Sequence, residues 1–316
     1  MLLENRSNPA ESSAMTGKLE GIFVPMLVPY DEGGEVNEAE LRRFIRWLIE
    51  DGVHGLYPNG STGEATRLTA DERRLVTKIT CEEAAGKVPV IAGMAEANAR
   101  ESLRACEHAA SCGAAAVAIV APFFYRLTQD SVYAYFAEIA RNSPINIVLY
   151  NIPSFANPIA VETVQRLAEL PRVVGIKDSS GDVPSMMRMI AAIRPSRPEF
   201  SFLTGWDPVL VTMLLAGCNG GTNATANVIP QQMRQMFELF RAGDVQAAIR
   251  LQHRILPAFD LMLQSFEFPD GFRAGAELNG FSFGFSRVPQ TSHQSEERAT
   301  RKRRLGALLC ELGSRT

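Results

Sequence analysis

From residue 20 onward, short apolar runs alternate with stretches whose apolar residues recur every three to four positions. The runs Phe23–Val28, Val53–Tyr57, Val88–Ala92, Ala115–Ala121, Ile145–Tyr150, Val173–Lys177, Phe200–Leu203 and Gly220–Asn223 read as strands buried on both faces. Between and after them, helical spacing covers Asn37–Glu50, Ala70–Ala85, Arg100–Ser111, Asp130–Arg141, Val161–Glu169, Val183–Ile193, Pro208–Ala216 and Pro230–Ala242. Leu41, Phe44, Ile45 and Leu48 share one face of the first helix, and Thr69 caps the second. Strict alternation over eight units predicts a parallel sheet closed into a (β/α)8 TIM barrel, an α/β fold. No GxGxxG follows the first strand, which weighs against a dinucleotide-binding sheet.

Beyond Ala242 the strands stop. Helical patterns run through Val245–Gln264, Phe272–Leu278 and Glu296–Leu312, broken at Pro269-Asp270-Gly271 and by a turn-rich stretch over 284–294. The chain therefore divides into a flexible leader at 1–18, a barrel at 19–243 and a C-terminal helical extension at 244–316 packed on the barrel. The leader lacks the apolar centre of a signal peptide, and no apolar run reaches the roughly 20 residues a membrane span needs. A cytoplasmic protein with no membrane partner is expected.

A chain of 316 residues with 46% hydrophobic content can bury a large core. Its net charge of −3 argues against a nucleic-acid partner. The five cysteines show no metal spacing and suit reduced thiols, and the four histidines are too dispersed for a metal site, so no metal is expected. The basic run Arg301–Arg304 is flanked by Glu296, Glu297 and Glu311 and reads as a solvated helix face.

Chemistry collects where strands end. Only five lysines occur, and Lys177 alone lies in an apolar strand, Val173-Val174-Gly175-Ile176-Lys177-Asp178. A buried ammonium group is costly unless it is paired or gives up its proton, and a lysine that does so is a nucleophilic amine. The strand alone leaves a second reading open, in which Lys177 reaches solvent or pairs with Asp178. The second strand runs into Gly60-Ser61-Thr62-Gly63-Glu64, whose hydroxyls and backbone N–H groups suit a small carboxylate, or form an ordinary capped turn. The fifth ends at Tyr150-Asn151-Ile152-Pro153, where a phenol can carry a proton or make one structural hydrogen bond.

GSTGE at 60–64, YNIP at 150–153 and GIKDSSGD at 175–182, in this order and on these strands, resemble the N-acetylneuraminate lyase/dihydrodipicolinate synthase superfamily of pyruvate-dependent class I aldolases. The likeness spans roughly residues 20–312. It implies that Lys177 forms an imine with pyruvate or another 2-oxo acid, that Ser61, Thr62 and Gly63 hold its carboxylate, and that Tyr150 carries the proton. The imine itself is the electron sink, so no separate cofactor is implied. The resemblance also implies a homotetramer built as a dimer of dimers.

Departures from the synthase pattern bear on the second substrate. Dihydrodipicolinate synthases usually place an arginine two residues beyond the YNxP proline, where this chain has Phe155, and an aromatic ring cannot replace a bidentate carboxylate clamp. They also usually carry a relay tyrosine in the loop after the fourth strand, donated across a subunit interface. Phe124 stands there, with Tyr125 one residue later. The loop Thr204-Gly205-Trp206-Asp207 resembles the lyase and sugar-acid side, where an acidic residue binds substrate hydroxyls; Asp207 equally fits the cap of a helix starting at Pro208. Thr222 and Asn223, ending the eighth strand, lie near it. The tail motif at 272–280 is similar to that of 2-keto-3-deoxy sugar-acid aldolases. The expected activity is an aldolase that cleaves or forms a 2-keto-3-deoxy acid to or from pyruvate and an aldehyde. Alternatives are a dehydratase or hydratase-aldolase on the same imine, dihydrodipicolinate synthase proper, and a 2-oxo-acid-binding relative without turnover.

Overall fold

The computed structural model describes residues 18–96, 98–264, 266–284 and 287–313, so the expected leader lies outside the described residues except for Lys18. Eight parallel strands form the sheet: β1 Gly21–Pro25, β2 Gly55–Tyr57, β3 Ile91–Met94, β4 Ala116–Val120, β5 Ile147–Asn151, β6 Val173–Asp178, β7 Ser201–Thr204 and β8 Gly220–Thr222. Their order is β2-β1-β8-β7-β6-β5-β4-β3, and a parallel bridge between Leu56 and Val90 joins the two ends into a barrel. The expected α/β architecture is the observed one.

The strands form because their residues are apolar on both faces. Phe23, Tyr57, Ile91, Ala118, Val148 and Leu203 fill the inside of the barrel. Val24, Leu56, Ile119, Leu149 and Ile176 face the surrounding helices. Those helices are α1 Glu38–Glu50, α2 Ala70–Ala84, α3 Ala99–Ser111, α4 Gln129–Asn142, α5 Val161–Ala168, α6 Val183–Ile193, α7 Leu210–Leu215 and α8 Pro230–Arg241. Thr69 closes a capping box with Glu72 at the start of α2, as its sequence position predicts.

One boundary differs instructively. The helix expected from Pro208 begins as a 3-10 turn over Asp207–Val209, and α7 starts only at Leu210. Asp207 caps neither. Its carboxylate reaches across to accept the backbone N–H groups of Ala224 at 3.3 Å and Thr225 at 2.8 Å, so it caps the turn after β8.

Among the described residues, three helices follow the barrel: α9 Val245–Gln264, α10 Asp270–Leu278 and α11 Ser292–Glu311. The third starts earlier than expected because Thr291 and Gln294 form a capping box inside the stretch read as turns. The basic run of α11 is partly engaged: Lys302 Nζ donates to Glu277 Oε2 of α10 at 2.5 Å.

The extension is tied to the barrel by a buried ion pair. Arg273 of α10 is 0% exposed and Glu64, at the end of the Gly-Ser-Thr-Gly turn, is 4% exposed. Arg273 donates Nη2 and Nε to Glu64 Oε2 at 2.5 and 3.1 Å, Nη1 to Phe283 O at 2.8 Å and Nη2 to Val28 O at 3.0 Å. Removing one partner of such a pair leaves the other charge buried and under-compensated. Arg273→Met is therefore expected to lower the unfolding free energy by about 3 kcal/mol, read by urea denaturation. A loss under about 1 kcal/mol would show that the pair does not anchor the turn.

Candidate active site

Parallel register brings the chemistry to one rim. Tyr150 pairs with Lys177, and Lys177 with Leu203, so these side chains point into the barrel at the same level. Asp178 therefore points outward. It accepts Asn151 Nδ2 at 2.7 Å and Ser180 N at 2.8 Å, and burial pushes its carboxyl above the usual range. Pairing of Lys177 with Asp178, one of the readings left open by sequence, is ruled out by strand alternation.

Lys177 is 3% exposed, so it does not reach solvent either. Its Nζ lies 4.0 Å from the centre of the Tyr150 ring and 4.5 Å from that of Tyr57, two rings set edge to face at 88°. Among the described residues it has no ion-pair partner. The faces of two aromatic rings stand where a counter-ion would otherwise be. Sequence reading does not single out Tyr57, the last residue of β2, although its place at the C-terminal end of a barrel strand is the signal that marks such residues. Burial pushes its phenol well above the usual value, and the nearby Tyr150 adds to this.

The hydroxyl-bearing turn faces the lysine. Ser61 Oγ and Tyr150 Oη are 3.0 Å apart, within hydrogen-bond reach. Ser61, Thr62, Tyr150, Lys177, Asp207 and Thr222 line one cavity of about 250 Å³. Thr222 Oγ1 is buried without a partner among the described residues. Asp207 is in the cavity wall, but its two oxygens are already engaged by the turn after β8, and burial pushes its carboxyl up.

Gly63 and Asn223 are not in the cavity wall. A Cβ at Gly63 would lie 2.6 Å from Met26 O, so glycine is there for close backbone approach. Asn223 is fully buried behind β8, its Oδ1 in the space a Cβ on Gly221 would take. Gly205 has a sharper role. A Cβ there would come within 2.8 Å of Lys177 Cε and would collide with Ser179 Oγ, so its missing side chain is the space the lysine stem occupies.

Residues not expected at the site complete the cavity: Trp206 and, from the C-terminal extension, Phe259, Leu263, Phe268 and Phe272. Trp206 packs against Phe259 with ring centres 6.1 Å apart. Phe155 lies at the mouth, 6.2 Å from Phe268 between ring centres, and borders both this cavity and an adjoining chamber of about 600 Å³. Phe124 and Tyr125 are elsewhere. They are 90% and 75% exposed, stacked edge to face on each other, and Phe124 holds φ at +76°, a conformation rare for a bulky residue.

Comparison with known proteins agrees with this geometry. The model of the dihydrodipicolinate synthetase family matches residues 18–308. A 4-hydroxy-tetrahydrodipicolinate synthase of Acidiphilium cryptum is 37% identical over 270 residues, covering 85% of this chain and 91% of the relative. A protein of the same name from Methanopyrus kandleri is 33% identical over 294 residues, covering 92% and 97%. Among solved structures, YagE, an E. coli K12 prophage protein of the dihydrodipicolinic acid synthase family in complex with pyruvate, superposes with a TM-score of 0.86. It is 28% identical, with coverage of 93% of this chain and 98% of that one. On its barrel, its lysine-bearing sixth strand and a match over nearly its whole length, the chain belongs to the dihydrodipicolinate synthetase family.

Proposed function

We propose that this protein is a Schiff-base aldolase that joins a 2-oxo acid, pyruvate first among them, to an aldehyde, or cleaves the 4-hydroxy-2-oxo acid that results. The observation that carries the reading is Lys177 Nζ, held off solvent between two tyrosine rings and facing the Ser61–Tyr150 hydroxyl pair. As the free amine, Nζ adds to the C2 carbonyl, and departure of water with uptake of a proton leaves a protonated imine. Loss of a C3 proton gives an enamine, and its C3 attacks the aldehyde carbon. The alkoxide so formed takes a proton through Tyr150, and water cleaves the imine to free product and amine. Ser61 and Thr62 offer hydroxyls to the oxo-acid carboxylate. The imine serves as electron sink, so no dissociable cofactor or metal enters the scheme.

A second reading, 4-hydroxy-tetrahydrodipicolinate synthase, draws support from the names of relatives 37% and 33% identical. Phe155 at the cavity mouth weighs against it, because an apolar ring stands where a carboxylate clamp is expected. Turnover of aspartate semialdehyde with pyruvate separates the two.

Incubation with pyruvate followed by borohydride reduction is expected to add one stable mass that maps to Lys177 and is lost in Lys177→Arg. An unchanged mass would favour a binding protein without turnover. Tyr150→Phe is expected to trap pyruvate but to turn over roughly 10²–10⁴-fold more slowly.

Gly205→Ala tests the same site by sterics alone. The new methyl displaces the lysine stem, and imine formation is expected to slow roughly 10²-fold, followed by the pyruvate-dependent adduct rate. An unaltered rate would mean that the stem does not need that space.

The exposed, strained Phe124–Tyr125 pair supports a homo-oligomer, with a tetramer the expected state. Sedimentation should show an assembly that Phe124→Glu with Tyr125→Glu weakens, whereas a monomer in the unsubstituted chain would refute this. Thiols that form no disulfide among the described residues suit a cytoplasmic enzyme, and no helix among the described residues is long and apolar enough to cross a membrane.

A further inference from the structure

The chamber next to the lysine cavity has features that the imine chemistry does not use. It shares Ser61, Tyr150, Ser154, Phe155 and Phe268 with that cavity, so a molecule seated there meets the enamine from the side of the proton carrier. Its volume, about 600 Å³ against about 250 Å³, makes it the place for the larger partner. Its wall is mostly apolar: Met94, Val120, Phe123, Ile152, Phe155 and Phe268. A polyhydroxylated chain would lose hydrogen bonds to water on entering, with only a few hydroxyls such as Thr66 and Ser154 to replace them.

Among the described residues, one cation interrupts that wall, with the carboxylate of Glu64 beside it. Arg67, last residue of the 3-10 turn Ala65–Arg67 after the hydroxyl cradle, lines the chamber. Its Nη1 donates to Glu64 Oε1 at 2.5 Å. Glu64 is also held by the fully buried Arg273, whose other bonds go to backbone carbonyls. Two guanidinium groups thus share one carboxylate, and the surplus positive charge falls on the more accessible of them. Among the described residues, Nε and Nη2 of Arg67 have no protein partner, which leaves their three N–H groups for an incoming anion.

We propose that Arg67 is a specificity-determining residue that grips an acidic group on the aldehyde partner, which is an apolar, ring-sized aldehyde carrying a carboxylate remote from its carbonyl. This rests on the imine reading above. The cation missing at position 155 is then supplied by another residue of the same chamber, leaving Phe155 and Phe268 to hold a flat apolar body between carbonyl and carboxylate.

The test uses pyruvate with three aldehydes: 4-carboxybenzaldehyde, its uncharged analogue 4-methylbenzaldehyde, and glyceraldehyde. The unsubstituted enzyme is expected to favour the carboxylated ring over the methylated one by roughly ten- to a hundredfold in kcat/KM, as a charge-assisted hydrogen bond would give. Glyceraldehyde should fall below the carboxylated ring. Arg67→Gln is expected to collapse the carboxylate preference to near unity, mainly through KM. Arg67→Lys should restore part of it, since it keeps the charge but loses the fork. Equal rates for the two ring aldehydes, a preference for glyceraldehyde, or an undiminished preference in Arg67→Gln would each overturn the proposal. Should Arg67→Gln fail to fold, the unsubstituted enzyme and Arg67→Lys still decide it. Failure of pyruvate to form any borohydride-stable adduct would sink the imine reading itself, whereas adduct formation without carboxylate preference would sink only this inference.

Discussion

Among the described residues, a lysine amine buried without an ion-pair partner is the constraint around which this structure is arranged. An ammonium taken from water into an apolar interior is strongly disfavoured unless something replaces its hydration. Here two tyrosine faces, 4.0 and 4.5 Å from Lys177 Nζ, are what the amine meets instead of water. Each comes from a different strand, so the contact exists only when the barrel is closed. Strand register then fixes the rest: Tyr150 is the direct neighbour of Lys177, Leu203 flanks it on the other side, and Asp178 is turned away. A one-residue slip of β6 would exchange Lys177 for Asp178 and abolish the site.

The C-terminal helices are part of the site rather than an appendage to it. Phe259, Leu263, Phe268 and Phe272 wall the lysine cavity, and Arg273 pins the hydroxyl-bearing turn through Glu64. The helix that brings Phe272 to the cavity therefore also holds the turn proposed to bind the oxo acid. Positioning of this kind, on packed helices and a buried ion pair, is what keeps a reacting geometry within the tolerance that catalysis demands.

Much of this is legible in the chain because the signals are local. Eight apolar runs separated by helical periods specify the barrel, and the strands begin and end close to where β-branched and apolar residues do. Lys177 stands out because it is a charge inside such a run. Tyr150 and the Ser61–Thr62 turn stand out because they end strands, and the structure brings all four residues into one cavity. What cannot be read depends on partners distant in sequence. Asp207 fits a local helix cap, yet its carboxylate serves the backbone of Ala224 and Thr225, a turn that begins 17 residues later. Phe268 and Phe272 reach the cavity from more than a hundred residues downstream of Tyr150, and although Phe272 opens the tail motif, nothing local says that it faces the lysine. Other gaps have signals that local reading passes over: Tyr57 ends a barrel strand, and Thr291 with Gln294 spells a capping box.

The central claim is that Lys177 bonds covalently to a 2-oxo acid whose carboxylate rests on the Ser61–Thr62 turn. Diffraction from crystals of the full chain soaked in pyruvate tests it most directly. The account predicts continuous density from Lys177 Nζ to the C2 carbon, with the carboxylate against Ser61 and Thr62 and the methyl carbon open toward the chamber beside Phe155. Pyruvate seated elsewhere, or lying unbonded with its carboxylate turned away from that turn, would contradict it.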